Sequence, residues 1–514
     1  MKKNIITLAL SSLILLGFST SCSFLEEDLS TQLTPDNYFK TQEEFEAAIT
    51  PIYSYIFKNN SRFGGLGTYG YTVNAGDQAL TSPRGLNKQR MLEFDNFNVS
   101  NQNPDVEGLW YALYRGVSAA NNVLENLDRI ATIPMDDQLR KSYISEVYFL
   151  RAFAYYNLAI YWKEVPIMTK NLNGQEAVNV KKSSMEDVFT FVLSDLEKAG
   201  DLPESQNVDK SRPNLDAVRL LKSYVYLNMA GYPLEKGVEY YQKAADQAKL
   251  VIESGSHFLE TSYADLWRYD NRFSKEHIFA FYGDFSSGRN YGSYGNKSFR
   301  GTEEGGWKDF VVTNEFYRNF PKDNRIKSCI YDTIMYDKKG KALAEENWSA
   351  AIEGKELHTW IGKYRDIGGA NWNEATSNAI YPIFRYADAL LVFAEASNKA
   401  NGGPSAEAYS ALHQIQDRAY LGTDIEDHIL AAGADEATFD QVVLQERAWE
   451  FAFENKTWND NVRRERVIET NMNHDDEEVG FDPNSITESR YYAPVPERES
   501  SLNPNLNIDP DPEH

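Results

Sequence analysis

Few residue constellations in this chain have the types and spacing that catalysis demands. Cleaving a glycosidic bond takes two carboxyl groups at a set separation in space. With 76 acidic residues in the chain, such pairs arise by chance, and no spacing singles one out. The seven histidines are scattered, without H-E-x-x-H or another close set that could grip a zinc ion, so no metal is expected. No G-x-S-x-G turn is present to raise a serine nucleophile. GLGTYG (Gly65 to Gly70) spells the dinucleotide pattern G-x-G-x-x-G, but no strand precedes it and no βαβ unit surrounds it. GSYGNKS (Gly292 to Ser298) only imitates a phosphate loop. The expectation is a protein without catalysis and without a cofactor.

Two other kinds of residue remain. The first is Cys22. Lys2 and Lys3, the mostly apolar run Ile5 to Phe18 and the small residues Ser19, Thr20 and Ser21 precede it. That is the order of a secretory signal, too short for a membrane span. A cysteine directly after the small residues reads as a lipidation site. Each buried acyl methylene contributes ~0.8 kcal/mol, so two or three chains would anchor the protein. The second kind is aromatic. Tyr291, Tyr294 and Trp307 lie in a glycine-rich region without helical periodicity. Sugars offer apolar C–H faces rimmed by hydroxyls, so a sugar site needs flat rings flanked by hydrogen-bonding groups.

Composition narrows the partners. The formal charge is −24, from 52 basic and 76 acidic residues, a field that repels phosphate backbones, so nucleic acid is not expected. Lipidation of Cys22 would leave Cys329 alone, so no disulfide framework is possible. Stability must come from a core, which 514 residues with 42% hydrophobic content can build.

Helices must position any site. Thr41 and Glu44 suggest a capping box opening a helix toward Phe57. Asp105 to Ile130 carries Leu109, Leu113, Val117, Ala120, Leu124 and Leu127 on one stripe. Helices are likewise predicted over Asp136 to Trp162, Ser184 to Ala199, Asp216 to Ala230, Val238 to Ser254, Tyr386 to Ala400, Glu407 to Tyr420 and Phe439 to Asn455. Gly231, Tyr232 and Pro233 join one adjacent pair, in which Ala244, Ala245 and Ala248 would allow close approach. Such hairpins resemble tetratricopeptide units. Arg385, Asp388 and Glu395 share one helical face, with Arg385 and Asp388 at i,i+3 pairing distance; Arg447, Glu450 and Glu454 share another. These charges read as a paired structural network. From Asn271 to about Tyr381 the pattern is loops and short strands. Residues 465 to 514 are polar and proline-punctuated, read as a non-helical tail whose aromatics pack on the body.

Five stretches together resemble the SusD/RagB family of nutrient-binding lipoproteins. They are ANNVLENLD (Ala120 to Asp128), LRAFAYYNLAIYWKEVPI (Leu150 to Ile167), FRYADALLVFAEA (Phe384 to Ala396), QERAWEFAFENKTWNDNVRR (Gln445 to Arg464) and YYAPVPERESSLNPNL (Tyr491 to Leu506). Asn455 stands where the family often has glycine. The resemblance implies a mainly α fold: a superhelical scaffold of tetratricopeptide-like hairpins, with an irregular, loop-rich ligand-binding region. The expected division is a signal peptide at 1–21, a tether at 22–40, scaffold at 41–270, an aromatic-rich insertion at 271–383, further scaffold at 384–464 and an irregular end at 465–514. It also implies glycan capture and delivery to a SusC-like, TonB-dependent barrel, with the lipid anchor on the outer membrane facing outward. Glu26, Glu27 and Asp28 resemble a surface-export signal. By region, the resemblance places Asp77 and Arg84 as polar contacts and Tyr291, Tyr294 and Trp307 as the aromatic arc. Peptide import of RagB type, or a structural adaptor without small-ligand binding, are the alternatives.

Overall fold

The structure, a computed structural model, describes residues 38–57, 77–81, 89–204, 211–282, 299–347, 349–350, 352–353, 356–357, 359–365, 378, 380–471 and 486–510. Helix α1 (Gln42–Phe57) opens with the expected capping box. Thr41 Oγ1 accepts from the Glu44 N–H at 3.2 Å, and Glu44 Oε2 accepts from the Thr41 N–H at 3.3 Å. After α2 (Gln89–Asp95) come α3 (Pro104–Leu124), α4 (Asp137–Trp162), α5 (Met185–Lys198), α6 (Leu215–Ala230) and α7 (Val238–Glu253). Then follow α8 (Tyr386–Asn401), α9 (Ala406–Tyr420), α10 (Glu436–Glu450) and α11 (Thr457–Arg463). Side-chain caps set most of the starts: Asn103, Asp136, Ser184, Asn214, Ser405 and Asp435 each accept from a first-turn N–H.

Neighbours in sequence pack as neighbours in space. α3 lies against α1 and α4, α4 against α5, α5 against α6, α6 against α7, and α7 against α8. The alanines expected to allow close approach on α7 (Ala244, Ala245, Ala248) are all buried. Helices α4 and α8 are buried almost all round, which explains their weak amphipathic pattern. Two predicted helices end early. The Asp105 to Ile130 stretch breaks after Leu124 into a separate turn at Leu127–Ile130. The Phe439 to Asn455 stretch stops at Glu450, because Phe453 (φ 62°) and Asn455 (φ 63°) take left-handed backbone. Asparagine is among the few non-glycine residues that tolerate that conformation, so Asn455 can replace a glycine there.

Strands are short and pair antiparallel. β1 (Ala79–Thr81) pairs β3 (Phe310–Val312), with Ala79 opposite Val312 and Thr81 opposite Phe310. β2 (His277–Tyr282) pairs β6 (Ile380–Arg385), with Tyr282 opposite Ile380. β4 (Ile330–Tyr331) pairs β5 (Trp360–Ile361). The chain between 283 and 379 therefore leaves the scaffold at the end of one strand and returns along its partner. A second apolar cluster, including Ala79, Phe299, Phe310, Phe316, Ile330, Tyr364 and Phe453, lies apart from the main helical core. From 465 onward the described chain alternates irregular stretches with short helical pieces at Val467–Asn471, Glu488–Arg490, Glu497–Leu502 and Pro504–Asn507. It does pack on the body. The Ala493 N–H donates to the Tyr161 carbonyl at 2.7 Å, and Trp162 Nε1 donates to the Pro494 carbonyl at 3.0 Å.

Candidate ligand-binding turn and the charge network beneath it

Trp307 sits on a turn that only glycine can build. The Gly306 N–H bonds the Gly301 carbonyl at 2.9 Å, Gly305 has φ 78°, and a Cβ on Gly306 would lie 2.0 Å from the Arg300 carbonyl oxygen. Buried charges clasp the turn. Arg300 Nη1 donates to the Glu304 carbonyl at 2.9 Å, and the Glu304 carboxylate accepts from Arg365 Nη2 at 2.5 Å. The Arg365 guanidinium lies 3.8 Å from the centre of the Tyr331 ring. Tyr331 OH in turn accepts from the Gly301 N–H at 3.1 Å. Trp360 is packed beneath with Lys308 over its ring, while Trp307 keeps 44% of its surface exposed. A large ring left that open on so rigid a support can serve as a stacking platform.

The layer carrying this turn is joined to the scaffold by charge. Glu450, at the end of α10, accepts from Arg385 Nη1, Arg418 Nη2 and Arg325 Nη1. Arg385 also reaches Glu276 and Glu454, both at 2.9 Å, and Lys363 reaches Glu454 at 2.7 Å. Arg325 and Lys363 belong to the irregular layer, and the charged side chains of all these groups, Arg418 included, are withdrawn from solvent. Burial alone would raise the Glu450 carboxyl, but Arg418, Arg385 and Arg325 outweigh it and hold it well below the ordinary carboxylate range. The expected charges are paired, but with partners from other elements: Arg447 binds Asp460 at 2.9 Å, and Glu395 binds Arg463 and Arg464. Arg385 does not pair with Asp388 through its side chain. Its backbone N–H donates to Asp388 Oδ2 at 2.8 Å, its guanidinium turns to the glutamates, and Asp388 pairs with Lys456 instead.

Asp77 and Trp307 do not meet in one patch. They lie beyond opposite ends of the β1–β3 ladder, since Thr81 pairs with Phe310 while Ala79 pairs with Val312. Asp77 faces a separate cleft that also includes Glu315, Phe316, Trp449, Arg466 and Thr470. Burial pushes its carboxyl well above the ordinary range; Arg466 opposes the shift and Glu315 adds to it. Cys22, Arg84, Tyr291 and Tyr294 lie outside the described residues. Among the described residues, no group of three or more His, Cys, Asp or Glu could hold a metal ion, and no helix is long and apolar enough to cross a membrane.

Two family models match in tandem. One, described as starch-binding associating with outer membrane, covers residues 25–227. The other, the SusD family, covers residues 275–510. The chain belongs to the SusD family. Along its length it is similar to SusD-like protein P2 of Formosa agariphila, 27% identical over 98% of this chain and 99% of that one. Its fold is similar to that of a SusD homolog from Bacteroides thetaiotaomicron (TM-score 0.76, 22% identity, 93% of this chain and 98% of that one). It is also similar to surface glycan-binding protein A from the same species, solved in complex with laminarihexaose (TM-score 0.72, 20% identity, 91% and 99%). SusD-family membership brings association with the outer membrane and carbohydrate binding.

The SusD-like fold contains functional candidates that sequence reading passed over. Trp360 and Arg365 support the Trp307 turn from far along the chain, without a local motif. Trp449 lies in a segment that reads as scaffold helix. Its one usable signal is a tryptophan among the charged positions of QERAWEFAFENK.

Proposed function

We propose that this SusD-family chain captures a polysaccharide or oligosaccharide outside the cell by stacking a sugar ring on Trp307. It then delivers the glycan to a SusC-like, TonB-dependent barrel, without catalysis, while a lipid on Cys22 holds it to the outer membrane. The observation carrying this reading is a half-exposed indole on a turn that glycine and buried charge keep rigid. Support comes from the related surface glycan-binding protein that holds laminarihexaose, a β-glucan fragment rich in the apolar sugar faces that a flat ring matches. In this reading Tyr291 and Tyr294 extend the aromatic surface. Arg84 supplies hydrogen bonds to the sugar hydroxyls. Asp77, beyond the far end of the β1–β3 ladder from Trp307, is left to a different contact.

Affinity gel electrophoresis over a panel of polysaccharides, laminarin included, tests the reading. At least one glycan is expected to retard the wild-type protein and to retard Trp307→Ala much less. Retardation by none, or equal retardation of both proteins, contradicts it. Mass spectrometry of the envelope-derived protein checks the anchor, for which a bare Cys22 thiol is the contrary result.

A further inference from the structure

The Asp77 cleft holds about 250 Å³ between the Asn314–Asn319 helix, α10, α11 and Val467–Asn471. Two polar atoms of residues lining it, Asp77 Oδ1 and Trp449 Nε1, are withdrawn from solvent and meet no hydrogen-bonding partner among the described residues. A polar group in that state is costly, because it has lost its water without replacement. Two of them around one cleft point to something that binds there. Asp77 is also held in place deliberately. Its backbone has φ 70°, and its carbonyl accepts from Thr313 Oγ1 at 2.8 Å.

The lining tells what would fit. It offers a carboxyl, an indole N–H, the Arg466 guanidinium and the Thr470 hydroxyl beside the rings of Phe316 and Trp449. Glu315 and Glu469 share the wall, so an anion such as phosphate would meet repulsion. The volume falls just below the roughly 300–1,000 Å³ of drug-sized sites. A neutral ligand that is small, hydroxyl-rich and partly apolar satisfies all three conditions.

We infer that this cleft is a second ligand site, separate from the Trp307 turn, that takes a single sugar ring or a compact polyol through Asp77 and Trp449. It stands whether or not the turn binds glycan. Saturation-transfer NMR on the purified protein with glucose, galactose, xylose and xylitol tests it. Trp449→Phe keeps a ring and drops the N–H; Asp77→Asn keeps the side-chain shape and tolerates the left-handed backbone. At least one probe is expected to bind the wild type saturably and to lose about tenfold or more in both variants, or in whichever of the two retains native near-UV circular dichroism. Trp449→Phe is expected to keep its retardation by polysaccharide. The inference is overturned if no probe saturates the wild type, if affinity is unchanged in the folded variants, or if Trp449→Phe loses polysaccharide and probe together.

Discussion

Replacing Glu450 by glutamine removes a negative charge on which the side chains of Arg385, Arg418 and Arg325 converge. The amide keeps the shape of the side chain but cannot answer Arg385, Arg418 and Arg325, whose guanidinium groups are all buried. Arg385 and Arg418 would keep Glu276, and Arg325 would keep Asp323 and Glu446, so none is stripped bare. Each of the three guanidinium groups still loses an ionic partner in a low-dielectric setting. Breaking a buried pair by removing one partner typically costs about 3–5 kcal/mol, and the surviving partners argue for the lower part of that range. Urea denaturation followed by circular dichroism is the assay, with the midpoint expected to fall and the slope to stay unchanged. Because Arg325 belongs to the irregular layer and Glu450 to the scaffold, limited proteolysis is expected to cut first within 299–365. A double-mutant cycle with Arg418→Gln should show coupling, because removing both partners leaves less charge unanswered. A loss below about 0.5 kcal/mol, within the range of ordinary surface substitutions, would mean that the cluster is not the joint described here.

Three further outcomes follow from single contacts. Burial raises the Asp95 carboxyl to about 7, so in the folded protein it holds a proton that the unfolded chain releases near pH 4. Its contribution is favourable below pH 4 and is lost as pH rises toward 7. Asp95→Asn should therefore match the wild type in acid and exceed it above pH 7 by up to a few kcal/mol, read from urea midpoints across pH; a constant difference contradicts this. Gly306→Ala places a Cβ 2.0 Å from the Arg300 carbonyl oxygen and should cost about 1–3 kcal/mol while weakening glycan retardation, with unchanged retardation as the contrary result. Asn214→Ala removes the α6 cap at the Ala217 N–H and the 2.9 Å bond from Nδ2 to the Ile278 carbonyl, which ties α6 to β2. A loss of about 1–3 kcal/mol in thermal or urea unfolding is expected, and none would mean that water replaces both bonds.

The scaffold was readable because local rules agree with the tertiary answer. Thr41 with Glu44, Asp136 and Ser184 announce helix starts, whereas the cap at Asp435 lies upstream of the predicted start at Phe439; the stripe from Leu109 to Ala120 is on the face that α3 buries. Where prediction overran, past Leu124 and past Glu450, the chain leaves helical backbone at Asn126 (φ −111°, ψ 20°) and at Phe453 (φ 62°), which hydrophobic periodicity does not register. The charge pairing was foreseen as a class but not in its partners. Arg385 reaches glutamates 65 to 109 residues away, a separation that helical spacing cannot encode. The site was the least legible part. Trp307 stood out as an aromatic without periodicity, yet its rigidity depends on Arg365 and Trp360, which only the folded chain brings near. The separation of Asp77 from it follows from an antiparallel register that single residue types do not announce.

The most direct test of the account is isothermal titration of the retained glycan into wild type, Trp307→Phe and Trp307→Ala. If the indole is the platform, alanine should cost about 2 kcal/mol or more, roughly 30-fold in affinity, while phenylalanine recovers part of the loss with no change in unfolding midpoint. Equal affinity in all three proteins would contradict the central claim that a rigid, half-exposed Trp307 holds the sugar.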